Sequence, residues 1–167
     1  HVLQADDYQR IGMEAAYAPF NWTQDDDSNG AVKIEGTNQY ANGYDVQIAK
    51  KIAQEMGKEP LVVKTSWNGL IPALTSGKID MIIAGMSPTA ERKKEIAFSN
   101  SYYTSEPVLL VRKDGKYASA KTLEDFKDAK VTSQQGVYLY NLIDQLPGAK
   151  KETAMGDFAQ MRQALES

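Results

Sequence analysis

Residues 84–92 read AGMSPTAER, which puts a small-residue turn, a hydroxyl, a proline and an arginine within nine positions. Ser87 followed by Pro88 reads as a helix start: the hydroxyl caps, and proline at the first helical position loses no hydrogen bond. A helix that begins where a buried parallel strand ends presents free N–H groups and a positive dipole end, which suits a carboxylate or a phosphate. Arg92 can add a bidentate fork to the same anion. An ordinary capped helix with a solvated arginine would carry the same letters. Residues 13–20, MEAAYAPF, place Glu14, Tyr17 and Phe20 in a loop broken by Pro19, and Trp67 opens a later strand-to-helix turn. Such aromatics can wall a ligand or plug the top of a core. Glu14 can pair with a cationic group or stand as a solvated loop charge. Asp25, Asp27, Asn29 and Gly30 match the first half of a calcium loop, but the closing position is Gly36 and Glu35 falls one residue early. Asn21, Trp22 and Thr23 form a glycosylation sequon.

Composition narrows the chemistry further. The 167 residues suit one domain or two small ones. With 42% hydrophobic and 25% charged residues, wholesale disorder, collagen and a disulfide scaffold are excluded. Cysteine is absent, which removes thiol catalysis and Cys-based zinc sites. The only histidine is His1, so neither a Ser-His-Asp triad nor a multi-histidine metal site is expected. No cofactor is expected. The net charge of -3, without a basic stripe, offers no footprint for nucleic acid or an anionic membrane. No apolar run approaches the roughly 20 residues of a membrane span. No signal peptide is visible, so the chain reads as cytosolic or as lacking its leader.

The elements that must position these residues alternate between strand-like and helix-like blocks. Tyr8–Met13 reads as a strand, and the polar residues 23–42 as a surface loop or hairpin insertion. Val46, Ile48, Ala49, Ile52, Ala53 and Met56 recur at helical spacing up to a stop at Gly57. Residues 61–65 form a strand. Leu70, Ile71 and Leu74 form a short helix closed by Gly77, and residues 80–84 a strand buried on both faces. A helix is expected over 89–97, a strand over 108–111 and a turn over 113–116. Beyond it come a helix at Leu123–Phe126, a strand at 131–133, a helix at 138–146, a strand at 150–153 and a helix at 157–165. This order predicts two α/β units joined near residues 107–112. The last helix would bury Phe158, Met161 and Leu165, yet it stops without a glycine cap or a following strand, so the second unit is expected to be cut short.

The blocks MEAAYAPF, GYDVQIAKKIAQEMG and WNGLIPALTSGKIDMIIAGMSPTAERKKEIAFSNSYYTS resemble the polar-amino-acid solute-binding proteins of ABC importers, the bacterial extracellular solute-binding proteins of family 3. The resemblance runs from about Tyr8 onward. It implies an α/β type II periplasmic-binding-protein fold of two lobes with a hinge: lobe one over 1–107, a hinge strand over 108–112 and a partial lobe two over 113–167. The second lobe and the return to lobe one are expected to be incomplete, and an acid that anchors the ligand ammonium in the family would lie past Ser167.

Arg92 is similar to the arginine that grips the ligand carboxylate. Ser87 is similar to the hydroxyl that also meets it, and Gly85 to the residue offering backbone to the amino group. Tyr17 and Trp67 resemble the aromatic walls, and Phe20 and Met86 complete the set in the first lobe. Glu14 sits where binders of basic amino acids place an acid, which favours arginine, lysine or histidine. In the second lobe Gln135, Gly136, Val137 and Tyr138 resemble the turn that closes over the ligand. Val137 and Tyr138 depart from the family there, since a small hydroxyl residue usually follows the glycine. The implied function is extracytoplasmic amino-acid binding for import, without enzymatic activity. The implied partners are the amino acid and the ABC permease transmembrane subunits. The implied location is a periplasm, or a lipid anchor on the outer face of a Gram-positive membrane. The alternatives are an amino-acid-sensing receptor domain and a same-fold enzyme such as a cyclic-acid dehydratase. A strand-exchanged dimer of the shortened chain is also considered.

Overall fold

Ile11 and Met13 are fully buried, and the strand that carries them organises the first half of the chain. The computed structural model describes residues 2–167 and divides into two compact units, His1–Phe98 and Ser99–Ser167. Residues 99–107 therefore group with the second unit. The first unit contains β1 (Tyr8–Met13), β2 (Ala16–Tyr17), β3 (Asn21–Gln24), β4 (Val32–Lys33), β5 (Tyr40–Asn42), α1 (Tyr44–Glu55), β6 (Glu59–Lys64), α2 (Leu70–Thr75) and β7 (Met81–Ile82). The second contains β8 (Lys130–Val131), α3 (Leu139–Leu142), β9 (Lys150–Lys151) and α4 (Phe158–Glu166).

β1 is the middle strand of a parallel sheet of order β6-β1-β7, with Ile11 opposite both Val62 and Met81. Ile11 and Met13 of β1 and Val62 and Val63 of β6 are buried, and so is the polar Gln9 of β1. Gly12 in β1 leaves room for the residues around α2: a Cβ there would run into Ile79 Cδ1 and lie 3.1 Å from Leu70 Cδ2. Helix α1 buries Val46, Ala49 and Ala53 as its spacing predicts. It ends at Gly57 (φ 67°) in a Schellman motif, with Gly57 N–H donating to Gln54 O and Lys58 N–H to Ala53 O. Helix α2 ends the same way at Gly77, with bonds from Gly77 to Leu74 and from Lys78 to Ala73.

The polar stretch 23–42 is more ordered than a loop. It supplies most of a four-stranded antiparallel sheet of order β2-β3-β5-β4. Val32, Ala41 and Asn42 face inward, and Ile34 bridges to Val62 of the parallel sheet. At the tip, Asp26 accepts from the Ser28 N–H at 3.1 Å and from its hydroxyl, bonds that hold the Asp26 carboxyl below its ordinary value. Asp25 accepts from Gln39 Nε2 at 3.0 Å. These carboxylates close a turn. The sequon is also a buried feature: Asn21 is 1% exposed, and its Nδ2 donates to Asp45 Oδ2 at 2.8 Å, so the nitrogen a glycan would need is closed off.

Several expected elements are shorter than the sequence suggests. The strand over 80–84 contracts to β7, with Met81 and Ile82 only half-buried, although backbone bonds from Asp80 to Arg10 and from Ile83 to Gly12 extend its alignment. The helix over 89–97 is replaced by a 3-10 turn at Arg92–Lys94. Its residues 91–95, Glu-Arg-Lys-Lys-Glu, carry no apolar stripe, and a short helix without a face to bury is not stable. In the second unit, β8 and β9 pair in parallel, Lys130 with Lys150. The expected helix at Leu123–Phe126 is a 3-10 turn, and that over 138–146 is α3 followed by a 3-10 turn at Ile143–Gln145. Helix α4 forms where expected, capped by Asp157, but its apolar stripe is not buried: Phe158 is 44% exposed and Met161 and Leu165 are half-buried. Residues 108–112, read as a hinge strand, join no ladder among the described residues, because a strand needs a second backbone beside it.

Gly43 caps α1 at φ 124°, and a Cβ there would collide with the Phe20 carbonyl. Gly43→Ala is expected to cost at least the ~1–3 kcal/mol of backbone strain, read as a lower thermal midpoint. In the second unit, Asp125 accepts from the Lys121 and Thr122 N–H groups at 2.8 and 3.0 Å, which lowers its carboxyl pKa. A depressed folded pKa stabilises above the unfolded value and is lost as pH falls through the folded one. An NMR titration of Asp125 should therefore give a midpoint below that of an unfolded aspartate, and Asn at this position should abolish the acid-side loss.

Candidate functional site

The first-unit candidates all spring from the same edge of the parallel sheet. The Thr65 N–H donates to Met13 O at 2.9 Å and the Ile83 N–H to Gly12 O at 3.2 Å, so the three strands end level with one another. Each then turns. β1 gives way to Glu14 and to Ala15, whose φ is 55°. β6 leads through Ser66 into a 3-10 turn that starts at Trp67. β7 leads to Gly85 at φ 65°. Loops at the carboxyl ends of parallel strands are where α/β sheets place ligands. Left-handed backbone at a non-glycine residue such as Ala15 is strain of the kind that collects at functional sites.

Ala15 is held by its surroundings. Thr23 Oγ1 donates to Ala15 O at 2.9 Å, and the Ala16 N–H donates to Asn21 Oδ1 at 3.2 Å. The tight return from Tyr17 to Phe20, closed by the Phe20 N–H to Tyr17 O bond at 3.0 Å, stacks their rings at 5.5 Å and 26°. Tyr44, which the sequence reading did not single out, meets Phe20 edge-on at 6.3 Å and 85°. Tyr17 is 39% exposed, and its ring lies beside Gly85: a Cβ there would sit 3.8 Å from Tyr17 Cε1. Glu14 is half-buried at the end of β1.

Ser87 and Trp67 help to orient Arg92. Its Nη1 donates to the Ser87 carbonyl at 2.8 Å, and its guanidinium carbon lies 5.5 Å from the Trp67 ring centroid, within cation–π range. Trp67 is 9% exposed, so it is the buried plate behind Arg92. Ser87 was expected to cap a helix. Instead Thr89, ahead of the 3-10 turn, accepts at Oγ1 from the Arg92 N–H at 3.2 Å, while Ser87 acts through its carbonyl. The helical turn here starts at Arg92, four residues later than Pro88 suggested. A Thr three residues ahead of Arg92 is the signal that could have located it. Met86 and Ser87 are half-buried. The first unit thus brings Tyr17, Phe20 and Gly85 together, and Trp67, Ser87 and Arg92 together.

The remaining candidates belong to the second unit. There the Gln135 N–H donates to Met155 O at 2.7 Å, Gln134 Nε2 reaches Gly156 O at 3.1 Å, and Gly136 turns the chain at φ 74°. Val137 is half-buried, and Tyr138, 37% exposed, leads into α3. This is a strand-to-helix turn, as the residues suggest.

The family model for bacterial extracellular solute-binding proteins, family 3, matches residues 9–165. A probable histidine-binding protein of Campylobacter jejuni is 33% identical over 144 residues, 86% of this chain and 50% of that protein. The arginine-binding extracellular protein ArtP of Bacillus subtilis is 36% identical over 126 residues, 75% of this chain and 43% of that protein. The chain spans about half the length of the curated relatives it matches. Among solved structures, an ancestral amino acid-binding protein described as a precursor of cyclohexadienyl dehydratase superposes with a TM-score of 0.78 at 34% identity, covering 96% of this chain and 66% of that one. The α/β architecture is thus that of the type II periplasmic amino-acid-binding proteins.

The two hydroxyls around Arg92 make separable predictions. Without ligand, Thr89→Ala should destabilise the chain by about 0.5–1.5 kcal/mol through the lost hydrogen bond to the Arg92 N–H. Ser87→Ala should leave the unliganded stability unchanged within error, because the bond to Arg92 uses a main-chain oxygen. Urea unfolding midpoints measure both.

Proposed function

Since the chain belongs to the bacterial extracellular solute-binding proteins of family 3, we propose that it binds a basic amino acid and delivers it to the transmembrane subunits of an ABC importer. The observation that carries this reading is the fixed guanidinium of Arg92 at the carboxyl edge of the sheet. A hydrogen bond from Nη1 and an aromatic plate hold it, and a guanidinium fork suits an α-carboxylate. Tyr17 and Phe20 offer a stacked apolar wall. Glu14, on the first residue beyond β1, supplies negative charge for a cationic side chain. Relatives named for histidine and arginine favour that class of ligand.

The proposed mechanism is capture without chemistry. Arg92 meets the carboxylate, the Gly85 backbone and Ser87 lie beside it, and the aromatics exclude water from the ligand's stem. Family members are extracellular, and the proposed location is a periplasm or the outer face of a membrane, held there by a lipid. No helix among the described residues is long and apolar enough to cross a membrane. A second reading, an enzyme on the same fold, draws on the neighbour described as a dehydratase precursor. It would need Glu14 as the acid–base group, since no histidine beyond His1 and no cysteine exists in the chain.

Calorimetric titration of the 167-residue chain with arginine, lysine, histidine, glutamine and glutamate tests the proposal. Basic ligands should bind. Arg92→Ala should weaken them by about ten- to a hundredfold, the worth of a charge-assisted hydrogen bond. Lysine at position 92 should restore little, because it lacks the fork. Glu14→Gln should weaken arginine and spare glutamine. Binding of glutamine or glutamate alone would overturn the basic-ligand assignment. Dehydration of a cyclohexadienyl acid, lost in Glu14→Gln, would replace the receptor by the enzyme.

A further inference from the structure

Glu14 follows directly on β1, and its main chain is pinned on both sides. Ahead of it, the Met13 carbonyl accepts from the Thr65 N–H at 2.9 Å. Behind it, the Ala15 carbonyl accepts from Thr23 Oγ1 at 2.9 Å, and the Ala16 N–H donates to Asn21 Oδ1 at 3.2 Å. Two side chains of β3 thus hold the oxygen and the hydrogen of a single peptide group. That peptide follows Ala15, which is 2% exposed and stands at φ 55°. A non-glycine residue keeps left-handed backbone only where its surroundings over-determine it.

The Thr23 hydroxyl has one proton, and a second contact says where it goes. Lys64 Nζ lies 3.0 Å from Thr23 Oγ1. An ammonium can only donate, so the hydroxyl accepts from Lys64 and keeps its own proton for Ala15 O. The bonds run from the end of β6, across β3, to the corner beyond β1. Lys64 is also the neighbour of Thr65, whose N–H holds Met13. Residues 64 and 65 therefore reach both sides of Glu14, one directly and one through Thr23.

A corner tethered in this way fixes a direction. The path by which the Glu14 carboxylate leaves the strand is set before any ligand arrives, so the ordering cost is already met. A charge pair weakens with distance, and a carboxylate that wanders loses most for a cationic ligand and little for a neutral one. We propose that Thr23 is a positioning residue for ligand selection: its hydroxyl, oriented by Lys64, holds Ala15 left-handed and so aims Glu14, a role that rests on the reading of Glu14 as the partner of a basic side chain.

Thr23→Val keeps the size and the branching and removes the hydroxyl, whereas Thr23→Ser keeps the hydroxyl. In the ligand-free chain, the strong intraresidue Overhauser effect between the amide and α protons of Ala15 that marks a positive φ should fade in Thr23→Val and persist in Thr23→Ser. Calorimetry with arginine and with glutamine reads the consequence. The preference for arginine over glutamine should narrow by about two- to tenfold in Thr23→Val, the worth of one hydrogen bond, and return in Thr23→Ser. In a Glu14→Gln background, Thr23→Val should narrow it no further, because Glu14 is the group through which Thr23 acts. An Ala15 that stays left-handed in Thr23→Val overturns the inference. So does an unchanged preference, or an equal weakening of both ligands, which is what general loosening of the edge produces. Equal binding of arginine and glutamine by the unmodified chain overturns the reading of Glu14 instead, and with it the selective role, while the Ala15 signal still decides whether Thr23 holds the corner.

Discussion

The carboxyl edge of the first unit's parallel sheet depends on a buried hydrogen bond between Asn21 and Asp45. Both side chains are almost wholly inaccessible, and they meet at 2.8 Å. Asn21 faces two ways: its amide nitrogen donates to Asp45 at the start of α1, and its oxygen accepts from Ala16 in β2. The Asp45 N–H returns a bond to Phe20 O, and the Tyr44 N–H one to Pro19 O. A short hairpin is thereby tied to the first turn of a helix, where a carboxylate is favoured by the dipole. Removing either partner would strand a buried polar group, an outcome much worse than an unmade surface bond. The aromatic pair Tyr17–Phe20 and the strained Ala15 inherit their positions from this knot.

A second organising fact is that three parallel strands end level and hand their loops to one side. The sheet is rigid because β1 is buried between two neighbours, while the loops beyond it are free to vary. Arg92 belongs to the least regular of those loops. A long flexible side chain in such a segment would ordinarily sample many rotamers. A carbonyl and an indole face fix it instead, so the ordering cost is met before any anion arrives.

The sequence makes the regular parts plain and the irregular ones obscure. The spacing of Val46, Ala49 and Ala53 defines α1, and Gly57 and Gly77 mark two helix ends where only left-handed backbone completes the cap. Tyr8–Met13 is legible through Ile11 and Met13, although the buried Gln9 and the charged Arg10 interrupt its apolar run. The antiparallel sheet within 23–42 is hidden because its strands are two to four residues long and largely polar. The segment after β7 misleads for the opposite reason: Ser87-Pro88 is a good helix start, but the residues behind it offer no apolar face. Arg92, Trp67, Ser87 and Tyr17 were nameable from the chain. That Trp67 lies behind Arg92, and that Ser87 acts through its carbonyl, depended on three-dimensional proximity that letters do not encode.

The contact between Arg92 and Trp67 also gives the edge a native chromophore. The chain has two tryptophans, and the other, Trp22, lies in the antiparallel sheet with its indole N–H donating to Gln24 at 2.9 Å. Indole emission responds to a charge near the ring, so any anion that draws on the guanidinium changes the field felt by one tryptophan. The arrangement that preorganises the arginine thus makes its occupancy visible as light, without a label.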